Sequence, residues 1–216
     1  MLETEVVNKI TEYLIEKNIR HKTEVRMGIG VPDIALNIGA RKNLCPLKDY
    51  CLLSICECVK SFGAITVEEL RTQTQINDKR LQSCLNELIE KGVIKLKNNK
   101  LRLSKKIFSL ELGKVISIEV KLKDWKNGLL QARRYLIFSD YSYLALPEEK
   151  IKNVDLDSVK RYGIGLLSVK NDGKLEEIIT PIKSQECDYK QKYIISSHVL
   201  ENLTNESSKR KKSIFD

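Results

Sequence analysis

Residues 114–123, KVISIEVKLK, alternate apolar and polar side chains along most of their length. The apolar and polar positions are, respectively, Ile116, Ile118, Val120 and Leu122, and Ser117, Glu119, Lys121 and Lys123. A period of two predicts a β-strand with one face toward a core. The next segment, NGLLQARRYLIFSD, is typical of a helix, and YSYLALP predicts another strand. This succession favours an α/β fold.

The N-terminal part of the chain continues this pattern. Residues 3–17 predict an amphipathic helix from the spacing of Val6, Val7, Ile10, Tyr13 and Leu14. Residues 20–26 and 33–38 predict two strands separated by the turn MGIGVP, and LDSVKRYG and IGLLSV predict a late helix and strand. We therefore expect a mixed sheet flanked by helices, formed by residues 1–44 and 107–201.

Residues 45–106 interrupt this pattern with three predicted helices and a hairpin. The first helix ends at Gly63, the second begins with a capping box between Thr66 and Glu69, and the third ends at Gly92. The third has one apolar face, formed by Leu81, Cys84, Leu85, Leu88 and Ile89. Two short strands follow, joined at Asn98-Asn99. This order resembles an inserted winged helix-turn-helix domain.

Basic charge is concentrated in that insert. The chain has a formal net charge of +9, and residues 44–106 carry 12 basic and 7 acidic side chains. Residues 95–106 contain six Lys or Arg residues and no acid. A local excess of this kind is what a polyphosphate partner requires. The tail, residues 202–216, is polar and basic, and we expect it to be disordered.

Other features narrow the class of protein. No apolar run approaches the roughly 18 residues that a membrane span needs, and the N-terminus lacks a signal-peptide pattern. We expect a cytoplasmic protein with no membrane contact. Six cysteines occur without a CxxC pair, and the chain has only two histidines, so reduced core cysteines are favoured over a zinc site.

Two distant segments carry the candidate chemistry. Asp33 opens one predicted strand, and Glu119 and Lys121 share the polar side of another. Carboxylates that converge on one point repel each other unless a cation lies between them. Oxygen ligands of this type suit Mg²⁺ or Mn²⁺. The alternative is structural: Asp33 would cap the turn, and Glu119 and Lys121 would face solvent.

The dipeptide PD at 32–33, followed by EVK at 119–121 on a later strand, resembles the PD-(D/E)xK nuclease superfamily, which has a restriction-endonuclease-like core. The resemblance covers residues 1 to about 44 and 107 to about 170. It implies metal-dependent hydrolysis of DNA. Asp33, Glu119 and the main-chain carbonyl of Val120 would hold the metal, and Lys121 would orient or deprotonate the attacking water.

The resemblance implies two further contributions to the site. The first helix of such nucleases often supplies an extra acid, for which Glu5 and Glu12 are candidates; an exposed helix face suits both equally. Gln131 and Tyr135 match a QxxxY pattern found in an exonuclease branch of the superfamily. Gln131 is a candidate catalytic residue. Tyr135 would contact nucleic acid or simply pack in the core.

The insert would hold the substrate. On the third helix of the insert the candidates for contact with DNA are Lys79, Arg80 and Gln82, and on its hairpin they are Lys95, Lys97, Lys100 and Arg102. Two alternatives stay open: a DNA-binding or regulatory protein that retains the nuclease fold without catalysis, and a protein-interaction module. The sequence does not decide the form of the substrate or whether the chain forms a homodimer.

Overall fold

A computed structural model describes residues 2–40, 45–104, 108, 112–201 and 214–215. Its α-helices are α1 (Glu3–Glu16), α2 (Tyr50–Phe62), α3 (Val67–Thr74), α4 (Asp78–Glu90), α5 (Trp125–Tyr135), α6 (Leu156–Arg161) and α7 (Tyr189–Leu200). Its strands are β1 (Arg20–Thr23), β2 (Ile34–Ile38), β3 (Ile94–Lys97), β4 (Lys100–Leu103), β5 (Lys114–Val120), β6 (Tyr141–Pro147), β7 (Gly165–Val169) and β8 (Leu175–Ile179). A 3₁₀-helix spans Glu148–Asn153.

Six of these strands form a mixed sheet in the order β1-β2-β5-β6-β7-β8. The pairs β5–β6 and β6–β7 are parallel, and β1–β2, β2–β5 and β7–β8 are antiparallel. In the β2–β5 pair, Ile34 lies opposite Ile118. Because these strands are antiparallel, the beginning of β2 and the end of β5 lie at the same edge of the sheet. This edge contains Asp33 and Glu119.

Helices cover both faces of the sheet. Val6, Ile10 and Leu14 of α1 are fully buried against one face, in a cluster that includes Ile34, Leu36 and Ile118. The other face is covered by α5, α6 and α7, which contribute Leu129, Val159 and Ile195. Burial of apolar surface in this arrangement is the main driving force for folding. The predicted α/β class with a mixed sheet flanked by helices is confirmed.

The segment from residue 45 to residue 104, called here the helical unit, contains α2, α3, α4 and the β3–β4 hairpin. Ile65 pairs with Leu101, which extends the hairpin by one isolated bridge. The apolar core of the unit includes Leu53, Ile55 and Leu70, all fully buried. Asn98 and Asn99 both have positive φ angles, 52° and 59°, as a two-residue hairpin turn requires.

Helix α7 joins the helical unit to the sheet. The Ser197 hydroxyl donates to the Leu47 carbonyl and accepts from the Leu47 amide, both at 3.0 Å, and the Tyr193 hydroxyl donates to the Cys45 carbonyl at 2.9 Å. On the sheet side, the Asn37 amide donates to the Ser196 hydroxyl at 3.1 Å. The entry to the helical unit is therefore held by buried hydrogen bonds on a helix that also packs on the sheet.

Several local predictions need correction. Strand β5 ends at Val120, and both Ser117 and Glu119 on its polar side are buried, because α5 covers that face. Ile89, expected on the apolar face of α4, is 41% exposed. Strand β8 and helix α7 were not predicted from the sequence. Most of the tail that we expected to be disordered lies outside the described residues, but Ile214 is buried against the α1 side of the sheet.

The capping box between Thr66 and Glu69 is confirmed. None of the helices in the described part of the chain has the length and apolar character needed to cross a bilayer.

Gly113 lies directly before β5, where the chain returns to the sheet, and both its backbone conformation and its close surroundings favour glycine. Its φ is +70°, and a Cβ atom there would lie 2.4 Å from the Ile38 carbonyl oxygen. We expect Gly113→Ala to destabilise the protein by about 1–2 kcal/mol through its backbone conformation and by about 1–3 kcal/mol more through overpacking. Urea unfolding measures both contributions.

Gly39→Ala is the matched control, because Gly39 has φ +79° and, apart from its chain neighbours, no atom of a described residue lies within 4 Å of the position that its Cβ would take. It should show only the backbone contribution. Equal losses of unfolding free energy in the two variants would contradict the predicted steric conflict at Gly113.

Candidate active site

Asp33 connects β2 and β5 at the point where their backbone pairing stops. The last paired residues are Ile34 and Ile118, and beyond them the Asp33 carboxylate accepts the Val120 amide hydrogen through Oδ2, at 2.7 Å. A charged acceptor makes this a stronger bond than a neutral one. The Asp33 side chain is therefore held against the end of β5. The backbone group that it caps belongs to β5, not to the turn that precedes β2.

Glu119 is a buried carboxylate with a partner on each oxygen. It is 2% exposed; Oε1 lies 2.6 Å from Lys121 Nζ, and Oε2 accepts from the Tyr135 hydroxyl at 2.6 Å. A buried charge without such partners would strongly destabilise the fold. The structural alternative, in which Glu119 and Lys121 face solvent, is therefore wrong, since the Glu119 side chain is 2% exposed and the Lys121 side chain 15% exposed.

Burial and charge shift the ionisation of all three groups. Burial raises the pKa of Glu119, an effect that Lys121 and Tyr135 reduce by hydrogen bonding and that the charge of Asp33 increases. Burial likewise raises the pKa of Asp33, although the Val120 amide and Lys121 oppose it. Burial of Lys121 favours its neutral form, but the Glu119 hydrogen bond and the charges of Glu119, Glu3 and Asp33 outweigh burial and raise its pKa.

One face of α5 closes the site. A Cβ atom on Gly128 would lie 2.6 Å from Lys121 Cγ, so the lysine stem runs directly over this glycine. Tyr135, seven residues later, contacts Glu119. Gln131 lies between them at helical spacing, and its buried Oε1 has no hydrogen-bond partner in the described structure. An unpaired buried carbonyl on the helix face that contacts the site is a position for a polar ligand.

The structure changes the assignment of two residues. Tyr135 is 1% exposed, so its side chain is too buried for the predicted contact with nucleic acid. Its hydroxyl donates to Glu119 and also lies 3.0 Å from the Val31 carbonyl. Glu5 accepts the Leu2 amide at 2.9 Å at the start of α1. Glu3, also on the first helix, has a charge that acts on Asp33 and Lys121.

Glu3 and Gly128 were not among the predicted site residues. Glu3 lies at the beginning of α1, and only the packing of that helix brings it to the sheet edge. Gly128 had a weak signal, since a glycine inside a predicted helix indicates close packing or a functional constraint.

The donor types at this edge fit a hard divalent cation. Asp33 and Glu119 provide carboxylates, and the Val120 carbonyl points to the same side of β5 as the Val120 amide that Asp33 accepts. Their mutual repulsion and the orphaned Gln131 oxygen are consistent with a positive ligand. No group of three or more His, Cys, Asp or Glu side chains within the described ranges is arranged to hold a metal.

The β3–β4 hairpin carries four cations on one face. Lys95 lies opposite Arg102, and Lys97 lies opposite Lys100. Directly opposed residues of an antiparallel pair project from the same face, and like charges there are destabilising. All four side chains are exposed and have no carboxylate within 4.0 Å in the described structure. Lys100 interacts electrostatically with Glu69, but the face as a whole keeps an excess of positive charge that would attract an anion.

The predicted contacts on α4 are placed differently. Lys79 is exposed, and the Gln82 amide donates to Asn86 at 2.9 Å on the helix surface. Arg80 forms an ion pair with Asp49, the residue that caps α2, so its guanidinium joins two helices of the unit.

The structure thus defines an α/β protein with a carboxylate–carboxylate–lysine site at one edge of a mixed sheet. Comparison of the chain with protein-family models, with curated proteins and with solved structures found no match. Assignment of a function to this site therefore depends on its geometry and chemistry.

The raised pKa of Asp33 predicts that its charge destabilises the fold. The contribution of Asp33 to stability is therefore fully present below its ordinary pKa of 3.8 and is lost as the pH rises through the folded-state value. In the presence of a chelator, Asp33→Asn should be more stable than the parent near neutral pH. The difference in unfolding free energy should shrink toward about pH 4, as urea titrations at several pH values would show.

Asp155→Asn is a control of opposite sign. The Ser158 hydroxyl lowers the pKa of this exposed carboxyl, so its charge stabilises the fold above the ordinary pKa. Its variant should be less stable at neutral pH and match the parent in acid. The same pH trend in both variants would contradict the assigned cause.

Proposed function

We propose that the chain is a metal-dependent nuclease of the PD-(D/E)xK type that hydrolyses phosphodiester bonds in DNA. The observation that carries the proposal is the placement of Asp33, Glu119 and Lys121 at one end of β5: Asp33 accepts the Val120 amide at 2.7 Å, and Lys121 Nζ lies 2.6 Å from Glu119. Asp33 and Glu119 lie far apart in the sequence, yet the charge of Asp33 acts on Glu119 and that of Lys121 acts on both. A buried and a half-buried carboxylate with raised pKa values at one sheet edge destabilise a fold, which is characteristic of functional sites.

Each side chain has a defined part in this chemistry. Mg²⁺ or Mn²⁺ held by Asp33, Glu119 and the Val120 carbonyl would lower the pKa of a bound water and neutralise charge on the phosphate. Lys121 supplies a positive charge at the reacting group and is held over Gly128. Tyr135 fixes the orientation of Glu119. The Gln131 carbonyl would accept a hydrogen bond from the attacking water.

The helical unit would bind the substrate as a winged helix-turn-helix. Its element order, α2-α3-α4 followed by a hairpin, and the four cations on its hairpin face support this role. The unit leaves β2 and re-enters β5 at the edge opposite Asp33, and β5 spans about 20 Å between those edges. Binding by the unit and cleavage at the site are therefore expected to be separable by mutation.

A second function is a DNA-binding protein that retains this fold without catalysis. The observation that favours it is that Lys121 and Tyr135 already occupy both oxygens of Glu119. In that case the ion pair would be a stabilising contact. Cleavage of any DNA in a panel of linear, single-stranded, forked and four-way substrates, with loss on addition of chelator, separates the two functions.

Glu119→Gln tests the catalytic assignment. The amide keeps the shape of the side chain but removes the charge that would hold a cation, so DNA cleavage with Mg²⁺ or Mn²⁺ should fall below detection. Affinity for duplex DNA, measured by fluorescence anisotropy in chelator, should stay within a few-fold of the parent.

Glu177→Gln is the matched control, because Glu177 also accepts from a tyrosine hydroxyl, that of Tyr143, at 2.6 Å but lies on β8. Its cleavage rate should equal that of the parent. Full activity in Glu119→Gln, or equal loss in the two variants, would remove Glu119 from the site.

Replacement of Lys95, Lys97, Lys100 and Arg102 together by Gln tests the hairpin. Loss of four phosphate contacts should reduce the slope of log affinity against log salt by about 3 to 4 for duplex DNA. The cleavage rate at saturating DNA should change little. Anisotropy titrations at several salt concentrations measure the slope.

The control removes the same total charge from exposed residues beyond β6: Lys152, Lys160, Arg161 and Lys174. These substitutions should leave the salt slope nearly unchanged. If both sets reduce the slope equally, the chain binds DNA through its net charge and the hairpin is not the contact.

A further inference from the structure

A short turn beside the site presents apolar side chains to solvent. Met27 and Gly30 exchange two backbone hydrogen bonds, of 2.9 and 3.1 Å, with Gly28 and Ile29 at the tip. Ile29 is 41% exposed and Val31 is 43% exposed. Isolated exposed apolar residues are common, but Ile29 at the tip of the turn and Val31 directly after it lie next to a buried charged site, which suggests a binding role.

This turn is fixed to the site rather than free. Val25 and Met27 are buried in the same cluster as Tyr135. A Cβ atom on Gly30 would lie 2.8 Å from Tyr135 Cε1, so the turn lies directly against the tyrosine ring. The Tyr135 hydroxyl then contacts both the Val31 carbonyl and Glu119. One tyrosine therefore sets the position of the turn relative to the candidate catalytic carboxylate.

We propose that Ile29 and Val31 contact the bases of the DNA next to the scissile phosphate, and that the protein prefers DNA whose stacking is already interrupted there. This inference depends on the proposed function. Phosphates offer nothing to an apolar side chain, whereas the faces of unstacked bases do, and apolar side chains in other DNA-binding proteins insert between base steps. The basic hairpin provides the attraction that brings a polyanion to the protein.

The expected magnitudes favour interrupted over intact DNA. Covering the exposed part of Ile29 contributes a factor of about 20 in affinity. Unstacking one step of an intact duplex costs a few kcal/mol, a factor of about 100 or more. Burial of Ile29 therefore contributes too little free energy to unstack a matched duplex. At a mismatch or a nick the stacking is already weakened, so most of that free energy is not required.

The experiment compares binding of a matched duplex and a duplex with one mismatch, in chelator so that no DNA is cleaved. Each duplex carries 2-aminopurine at the same position, which in the second duplex lies beside the mismatch. The parent should bind the mismatched duplex about tenfold more tightly and increase the 2-aminopurine fluorescence. Ile29→Ser should lose both effects, and Ile29→Leu should keep them. Ile182→Ser, at a residue 66% exposed beyond β8, is the control and should behave as the parent.

The outcomes separate this inference from the proposed function. Equal affinity of the parent for both duplexes, or a parent-like preference in Ile29→Ser, overturns the inference. Neither result bears on the proposed nuclease activity, which the cleavage assay tests separately. If Ile29→Ser changes the oligomeric state measured by sedimentation but not the affinity for DNA, the turn forms a contact between protein chains. That result also overturns the inference. Absence of DNA binding by the parent overturns both.

Discussion

The hydrogen bond from the Val120 amide to the Asp33 carboxylate, 2.7 Å long, closes the edge of the sheet on which the rest of the site is built. It replaces a backbone pair at the point where β2 and β5 separate. Because it fixes Asp33 against β5, it also places that charge close enough to Glu119 to raise the pKa of the glutamate. Lys121 acts in the opposite direction on both carboxyl groups, so the two acids share one compensating cation.

Tyr135 connects the elements around Glu119. Its ring packs against Gly30 and stacks on Phe138, with ring centroids 5.5 Å apart, and its hydroxyl contacts Glu119 and the Val31 carbonyl. A buried tyrosine hydroxyl needs such partners. The same side chain thus orients a buried acid and holds the turn that carries Ile29, which couples the candidate reaction centre to the surface beside it.

Much of the fold was predictable because its signals are local. The alternation along β5, the helical spacing in α1 and the Asn98-Asn99 turn depend on residues close in the chain. By contrast, α7 has little amphipathic pattern, since it is buried between the sheet and the helical unit and so has apolar and small polar residues on several sides. Periodicity does not identify a helix of this kind.

The sequence by itself determined the α/β class, the interruption by a basic helical segment and the residues Asp33, Glu119 and Lys121 as candidates. Tertiary structure alone decided that Glu119 is buried, that Tyr135 supports it from inside the core, and that the charge of Glu3 acts on the site. The reason is physical. Residue type and spacing set which face a side chain occupies, but only the packing of distant elements sets which charges share a region from which water is excluded.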